Sequence, residues 1–283
     1  MRVNYGEIFQ ERCKNKYLHE YSNIPNDKSL WPESWKKVYY KIYNRFESVK
    51  LPIPDRQSLD QGIFVKRNST RDFKAEPIDI KTLSNILYFS AGEVRKSDNE
   101  NESRRAQSSA GARYPIEIYL LNFTDGNSIK DNAHDKEVKF LKRGVYHYNV
   151  KDHSLEYLWD FDGNDIDVRT KYINFQYSNE YAMAIVTTAI PARSTMKYGD
   201  LGYKLIYIEA GVILGYIELN SAINAIGSTI YSGINDLEVE ELLDIDGKSE
   251  TVVMSILLGH TKYNPTPSLS EGEGENTNLH ANI

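Results

Sequence analysis

Ser108-Ser109-Ala110-Gly111-Ala112-Arg113-Tyr114-Pro115-Ile116-Glu117-Ile118-Tyr119-Leu120-Leu121 changes character half-way along, from a run of small residues to an alternating apolar segment. Ser, Ala and Gly carry little or no side chain, so a flat ligand can lie directly against such a backbone. Amides and hydroxyls then hydrogen-bond the ligand's edge. The same residues also make an ordinary tight turn, because Gly and Ser dominate turns for the same reasons. Beyond the loop, the apolar pattern predicts a strand over 116–123, which anchors one end of this surface in the core.

Working outward, the apolar spacing of Ile80, Leu83, Ile86, Leu87 and Phe89 predicts a helix over 78–90 that stops before Gly92. Residues 93–107 are polar and charged and read as a flexible loop. Val145–Tyr148 and Leu155–Leu158 read as a hairpin, with His147 and His153 flanking its turn. No third ligand accompanies those two histidines, so no metal site is expected there. The apolar run Ala182–Ala189 predicts a buried strand ended by Pro191. A long helix is expected over about 205–225, with Gly211 and Gly215 on one face as packing residues. A small-residue strand and turn over 227–233, a helix over 238–243 and a strand over 252–258 complete the pattern. Helices and strands mix without regular alternation, which points to an α+β fold.

The chain has 283 residues, enough for one large domain or two small ones with a substantial core. A net charge of −6 gives no support for a nucleic-acid partner. Cys13 is the single cysteine, which excludes an internal disulfide and any paired-cysteine metal or redox motif. Met1–Glu7 lacks the apolar stretch of a secretory signal, and no run of about 18 apolar residues is present. The expectation is a cytoplasmic protein that does not enter a membrane. In the first 50 residues, Trp35 to Phe46 recur at helical spacing and predict a peripheral helix. Residues 264–283 are rich in Pro, Ser, Glu, Gly and Asn and predict a disordered tail.

Two further stretches carry chemistry. Arg67, Asn68, Ser69 and Arg71 place two guanidinium forks and several neutral donors within five residues, a set suited to a phosphate or a carbonyl edge. A solvated basic turn has the same composition. Lys197 and Tyr198 adjoin just before the long helix. They read either as a surface pair or as a base with a hydroxyl partner, since an amine shielded from water can take up a proton.

Taken in order, Arg67 to Phe73, Ser109 to Tyr119, Lys197-Tyr198-Gly-Asp-x-Gly-Tyr, Glu209-Ala-Gly and the segment 227–233 resemble the nitroreductase superfamily. Within it they are similar to the SagB-type (McbC-like) FMN-dependent dehydrogenases, which oxidise thiazolines and oxazolines in ribosomally made peptides to thiazoles and oxazoles. The resemblance covers roughly residues 60 to 260. It implies a mostly antiparallel central sheet flanked by helices, with FMN at a homodimer interface. It divides the chain into an N-terminal helical extension (1–55), an FMN-binding domain (56–263) and a tail (264–283).

For the cofactor, the resemblance implies that Arg67, Asn68, Ser69 and Arg71 hold the phosphate, the ribityl chain and the ring's carbonyl edge. Ser108, Ser109, Ala110 and Gly111 would lie against the isoalloxazine, usually from the partner subunit, and Ser232 and Gly233 would approach the flavin N5 edge. Lys197 and Tyr198 match the pair thought to carry catalysis, one as base and the other as its partner. The sequence departs from the pattern in three places. Ser108 stands where Pro is frequent, Leu201 where Arg is common, and the late phosphate-binding Arg is missing after Gly259, leaving Lys262 or His260. The implied partners are a second copy of the chain, a modified precursor peptide and a cyclodehydratase, with oxygen to reoxidise the flavin. A general NAD(P)H-dependent nitroreductase or quinone reductase, and a non-catalytic scaffold subunit of a synthetase, remain open alternatives.

Overall fold

In the computed structural model, which describes residues 5–14, 27–30, 62–98, 103–126, 139–163, 165–175, 177 and 180–262, the apolar run Met183–Ala189 is buried along its whole length. A strand buried on both faces belongs in the middle of a sheet covered on both sides. The described elements run α1 (Tyr5–Cys13), α2 (Gly62–Lys66), β1 (Phe73–Lys74), α3 (Ile80–Ala91), β2 (Glu93–Arg95), β3 (Arg104–Arg105), a 3-10 turn (Ala110–Ala112) and β4 (Ile116–Asn122). They continue through β5 (Gly144–Asn149), β6 (Ser154–Trp159), α4 (Asp165–Tyr172), β7 (Met183–Ala189), α5 (Pro191–Tyr198), α6 (Leu201–Ile223), β8 (Gly227–Tyr231), α7 (Asp236–Leu242) and β9 (Thr251–Thr261).

The main sheet runs β1-β9-β7-β4-β5-β6, with β8 also paired to β9. Its strand pairs are antiparallel. Side-chain alternation along β4 sends Ile116, Ile118 and Leu120 to one face and Tyr119 and Leu121 to the other. On the first face lie α3 and α6, whose Leu83, Ile86 and Leu87 and Ile206, Ala210, Ile213, Leu214 and Ile217 form one core. On the second face Val168 and Tyr172 of α4 and Val239 of α7 close a more aromatic core with Phe73, Phe123, Phe175 and Tyr181. Each such buried side chain contributes about 1.5–3 kcal/mol, so the two cores hold the three layers together.

Among the described residues, the elements expected from periodicity are present, with shifts that have local causes. Asp79 accepts a hydrogen bond from the Thr82 amide at 2.9 Å, so α3 starts at Ile80. β9 extends to Thr261 because Lys74 and Phe73 pair with His260 and Thr261. Pro191 ends β7 and also opens α5, a helix that the apolar pattern does not announce. The stretch 93–107, expected to be a flexible loop, contains a two-stranded ribbon of β2 and β3. Gly211 and Gly215, expected as packing residues, face open space: a Cβ at either would meet nothing within 4 Å.

By length and composition α6 could cross a membrane, but in this fold its apolar stripe packs onto the sheet. At the N-terminus α1 docks on the domain: Gly6 lies against the Tyr203 ring, and Phe9 meets Tyr207 edge-on with ring centroids 6.0 Å apart. Lys14 follows, buried, with its ammonium 2.9 Å from Glu240. The helix expected over Trp35–Phe46 and the tail 264–283 lie outside the described residues.

Candidate active site

The small-residue loop adopts a conformation that most residues avoid. Gly111, Ala112 and Tyr114 have φ of 61°, 53° and 47°. Glycine takes up this left-handed region freely, whereas Ala112 and Tyr114 each cost about 1–2 kcal/mol there. Such strain persists only where the surroundings over-determine it. Here the Tyr114 amide donates to Ser109 Oγ at 2.8 Å, and its carbonyl accepts from Arg193 Nη1 at 3.0 Å. Its hydroxyl accepts from the Arg105 amide at 3.2 Å, and its ring lies 4.7 Å beneath the Arg105 guanidinium. All three polar groups of Tyr114 are therefore held.

Lys197 and Tyr198, in the last turn of α5, reach this loop in the same chain. The turn at Gly199, with φ 56°, closes that helix and leads into α6. A Cβ on Gly111 would stand 2.6 Å from Lys197 Nζ and still closer to the Tyr198 hydroxyl. Both side chains thus end on the bare backbone of Gly111. Lys197 is exposed and Tyr198 half-buried.

Behind the loop lies a charged layer whose carboxylates, Glu117 and Glu209, stand inside the quoted motifs with no role assigned to them. Glu117 on β4 pairs with Arg193 and accepts from His147, whose Nε2 is 3.2 Å away; His147 Nδ1 lies 2.9 Å from Glu156. Burial pushes the Glu117 carboxyl up, but the hydrogen bond from His147 and the Arg193 and Arg105 charges outweigh it, and the net direction is down. His147 is raised, chiefly by its bond to Glu117, against the opposing effect of burial. Glu209 on α6 is buried beside Ser109 and Gln107. Burial raises its carboxyl, opposed by hydrogen bonds from those two residues and by the Arg105 charge. The sequence signal for this layer is the place of Glu117 and Glu209 in the motifs Ser109 to Tyr119 and Glu209-Ala-Gly; no motif points to Arg193.

The other predicted residues form separate groups. Arg67 to Arg71 runs beside the start of β8, where Thr70 donates its amide to Ser228 O at 2.9 Å. Arg67 reaches Glu218 of α6 at 3.5 Å, Asn68 bonds the Lys66 carbonyl, and Arg71 lies over the Tyr177 ring. Lys262 joins this group through its amide on Asp72 O at 3.3 Å, while its ammonium pairs with Glu180. His260 is the register partner of Lys74. Gly233 accepts from the Asn174 amide at 3.0 Å and Ser232 is exposed. Leu201 is exposed in the first turn of α6.

The sheet register separates the first two groups. Ser228, Leu258, Met183 and Asn122 form one row across the sheet, and Ile116, Ala189 and Thr251 another. Along β4 and β7 six strand steps separate the rows, about 20 Å. Along α6, Glu209 behind the loop and Glu218 beside Arg67 are about 14 Å apart.

A cavity of ≈ 660 Å³ opens on the loop, lined by Ser108, Ser109 and Gly111 together with Arg95, Arg104, Arg105, Gln107 and Tyr216. A larger cleft of ≈ 1000 Å³ between α1, α5 and the turn at Asp246–Ser249 contains none of the predicted site residues. His153 bonds Tyr148 and Ser84, both at 2.8 Å, and pins the β5–β6 turn to α3. Among the described residues no group of three or more metal-ligating side chains occurs.

The profile of the nitroreductase family matches residues 64–260. A Methanocaldococcus jannaschii protein assigned as a nitroreductase is 24% identical over 201 residues, which is 70% of this chain and 91% of that protein. Among solved structures, one chain of the E. coli microcin synthetase McbBCD complex, with truncated pro-MccB17 bound, superposes with a TM-score of 0.65 at 18% identity, covering 93% of this chain and 95% of that one. A Ralstonia eutropha protein assigned as a nitroreductase gives a TM-score of 0.55 at 22% identity, covering 75% and 89%. The three-layer fold with its mostly antiparallel sheet agrees with these likenesses, and the chain belongs to the nitroreductase family of oxidoreductases.

Proposed function

We propose that this chain is an FMN-dependent dehydrogenase that oxidises thiazoline or oxazoline rings in a ribosomally made peptide. The observation that carries this reading is the convergence of Lys197 and Tyr198 on the Gly111 backbone. It brings an amine and a hydroxyl to a backbone position that carries no side chain, which supports the reading. The fold likeness to a chain of a peptide-modifying synthetase supports the same class of substrate.

The residues fit FMN in kind. Gly111 offers a bare backbone that a Cβ would fill, and the 67–71 segment offers two guanidinium groups with Asn and Ser beside them. Arg67, Asn68, Ser69 and Arg71 would hold the phosphate, the ribityl chain and the ring's carbonyl edge, with Lys262 joining by exchanging Glu180 for the phosphate. Ser108, Ser109, Ala110 and Gly111 would form one wall for the ring, and Ser232 and Gly233 another. Because the two main groups sit at different ends of one chain, each site takes its wall from a second copy.

When bound, FMN supplies a hydride acceptor. Aromatising an azoline removes one hydride and one proton from neighbouring ring atoms, so the protein must hold the ring in place and take the proton. Lys197 Nζ accepts that proton and the Tyr198 hydroxyl orients or relays it. Lys197 is exposed in the isolated chain, so the peptide and the second copy shield it from water.

Lys197→Ala tests the assignment. The variant should purify yellow with FMN and lose azole formation by about a hundred- to ten-thousandfold. Unchanged turnover would remove Lys197 from the mechanism. Rapid NADPH oxidation with a nitroaromatic acceptor, together with no azoline turnover, would favour a general nitroreductase instead.

A further inference from the structure

We propose that Glu209 is a positioning residue: it accepts the hydrogen bond of the Ser109 hydroxyl and so fixes the Ser109–Gly111 loop relative to Lys197 and Tyr198. This rests on the reading of that loop as a wall of the flavin site, and it gives the buried acid behind the wall its task.

Glu209 lies on α6, only 3% exposed, next to the core residue Ala210. A carboxyl group in such a place costs free energy unless its oxygens are hydrogen-bonded, and an apolar side chain would pack there without that cost. The groups that meet it are the Ser109 hydroxyl, the Gln107 amide at 3.5 Å and the Arg105 charge, all in the stretch that enters the loop. Arg105 is shared, since it also feels Glu117 and Arg193 and is the register partner of Glu93. The Ser109 hydroxyl is the partner on which the loop's shape depends.

A serine hydroxyl has one proton and two lone pairs. The Ser109 hydroxyl oxygen accepts from the Tyr114 amide at 2.8 Å, and the Ser109 carbonyl accepts from the Ala112 amide at 3.0 Å. These two bonds close the turn around Gly111 and hold Ala112 and Tyr114 at positive φ. With its proton directed at Glu209, the hydroxyl keeps a lone pair on the Tyr114 amide. Without that acceptor the hydroxyl is free to rotate, and the strained turn loses part of what over-determines it. An ionised carboxylate and the carbonyl oxygen of a protonated one both accept, so the role holds in either form.

The far end of the loop is tied down by Arg193, which donates to the Tyr114 carbonyl at 3.0 Å. Arg193 stands about one turn before Lys197 on α5, and Glu209 about two turns into α6, across the corner at Gly199. Both ends of the loop are thus fastened to the helix pair that carries Lys197 and Tyr198. Loop and catalytic pair form one unit, as a reaction that depends on the placement of a ring against a proton acceptor requires.

The experiment follows amide hydrogen exchange by NMR in the full chain as purified, at the Tyr114 amide and, as control, along β7. In Glu209→Met and in Ser109→Ala the Tyr114 amide should exchange about tenfold faster while β7 is unchanged. Glu209→Gln keeps an acceptor for Ser109 and should stay within about twofold of wild type. Gln107 Oε1, unpartnered among the described residues, can accept from the new amide. Because Glu209 acts through Ser109, Glu209→Met combined with Ser109→Ala should exchange no faster than Ser109→Ala alone. In FMN-loaded protein, Glu209→Met should lower kcat for azoline oxidation by about tenfold and leave KM within about twofold.

An unchanged Tyr114 rate in Glu209→Met, or an acceleration spread equally over β7, would overturn the proposal. So would a Gln variant as fast as the Met variant, or a double variant faster than Ser109→Ala. Flavin content of the same wild-type preparation separates this failure from failure of the parent reading. Protein that holds FMN but shows no local change refutes the Glu209 assignment alone. A local change in protein that never takes up FMN supports the tie between Glu209 and the loop and refutes the flavin-wall reading.

Discussion

Lys197 and Gly111 are packed so closely that a methyl group on Gly111 would stand 2.6 Å from the Lys197 ammonium. The Gly111 backbone is also left-handed, with φ 61° and ψ 22°. An Ala at this position costs about 1–2 kcal/mol in backbone strain. The atoms it meets are the far ends of two flexible side chains, so Lys197 and Tyr198 move and the fold survives. Gly111→Ala should therefore lower the unfolding midpoint by a few degrees and lower kcat much more, by about tenfold to a hundredfold. Melting and turnover measured on the same preparation check this. Wild-type turnover in the variant would show that the position of the pair against Gly111 does not matter.

Arg193 ties the strained loop to the charged layer behind it, through the Tyr114 carbonyl and Glu117. Arg193→Met would free that carbonyl and leave the half-buried Glu117 with His147 as its remaining close partner. The expected loss is about 1–3 kcal/mol, at the lower end because Arg193 is itself partly exposed. Arg193→Lys should restore charge without the two-pronged geometry, recovering part of the stability and less of the turnover. Urea denaturation of the three proteins, followed by turnover assays, measures both effects.

Much of this arrangement was legible in the sequence because periodicity reports burial. The buried run ending at Ala189, the stripe of α3 and the long α6 all follow from apolar spacing. Other parts could not be read that way. The helix α5 has one apolar face only eight residues long, and its Pro191 looks like a strand terminator as readily as a helix start. The β2–β3 ribbon is built from charged residues whose pairing depends on a return across the chain. The motifs Arg67–Arg71, Ser108–Gly111 and Lys197-Tyr198 were each visible. Only the fold shows that the last two meet in one chain while the first lies apart. Glu117 and Glu209 were visible inside the motifs, but their partners come from distant elements.

The His147–Glu117 contact makes stability depend on pH in a defined window. His147 is raised above its ordinary 6.5, so its contribution is complete below 6.5 and is lost as pH rises through the raised value. Glu117 is held below its ordinary 4.5, so its contribution is complete above 4.5 and is lost as pH falls through the lowered value. Between these limits both groups are charged in the folded chain and the contact is strongest. His147→Gln should melt lower than wild type by about 2 °C near the middle of the window and converge with it at alkaline pH. Thermal melts across a pH series check the sign. A gap that widens toward alkaline pH would contradict it.

Gly211 and Gly215 decide whether the site needs two copies of the chain. A Cβ at either position meets nothing within 4 Å, and their neighbours Ile208 and Tyr216 on α6 are exposed. A Cβ added at either position meets no neighbour within one chain, and replacing Gly inside a helix adds a few tenths of a kcal/mol of stability. Close approach of a second copy along this face, by contrast, requires the absence of side chains. Gly215→Trp should therefore fold as well as wild type, yet shift from dimer to monomer in analytical ultracentrifugation. Its FMN content should fall in parallel if, as proposed, the Ser108–Gly111 wall and the Arg67–Arg71 segment of one site come from two copies. A monomeric Gly215→Trp that keeps full FMN would show that one chain completes the site alone.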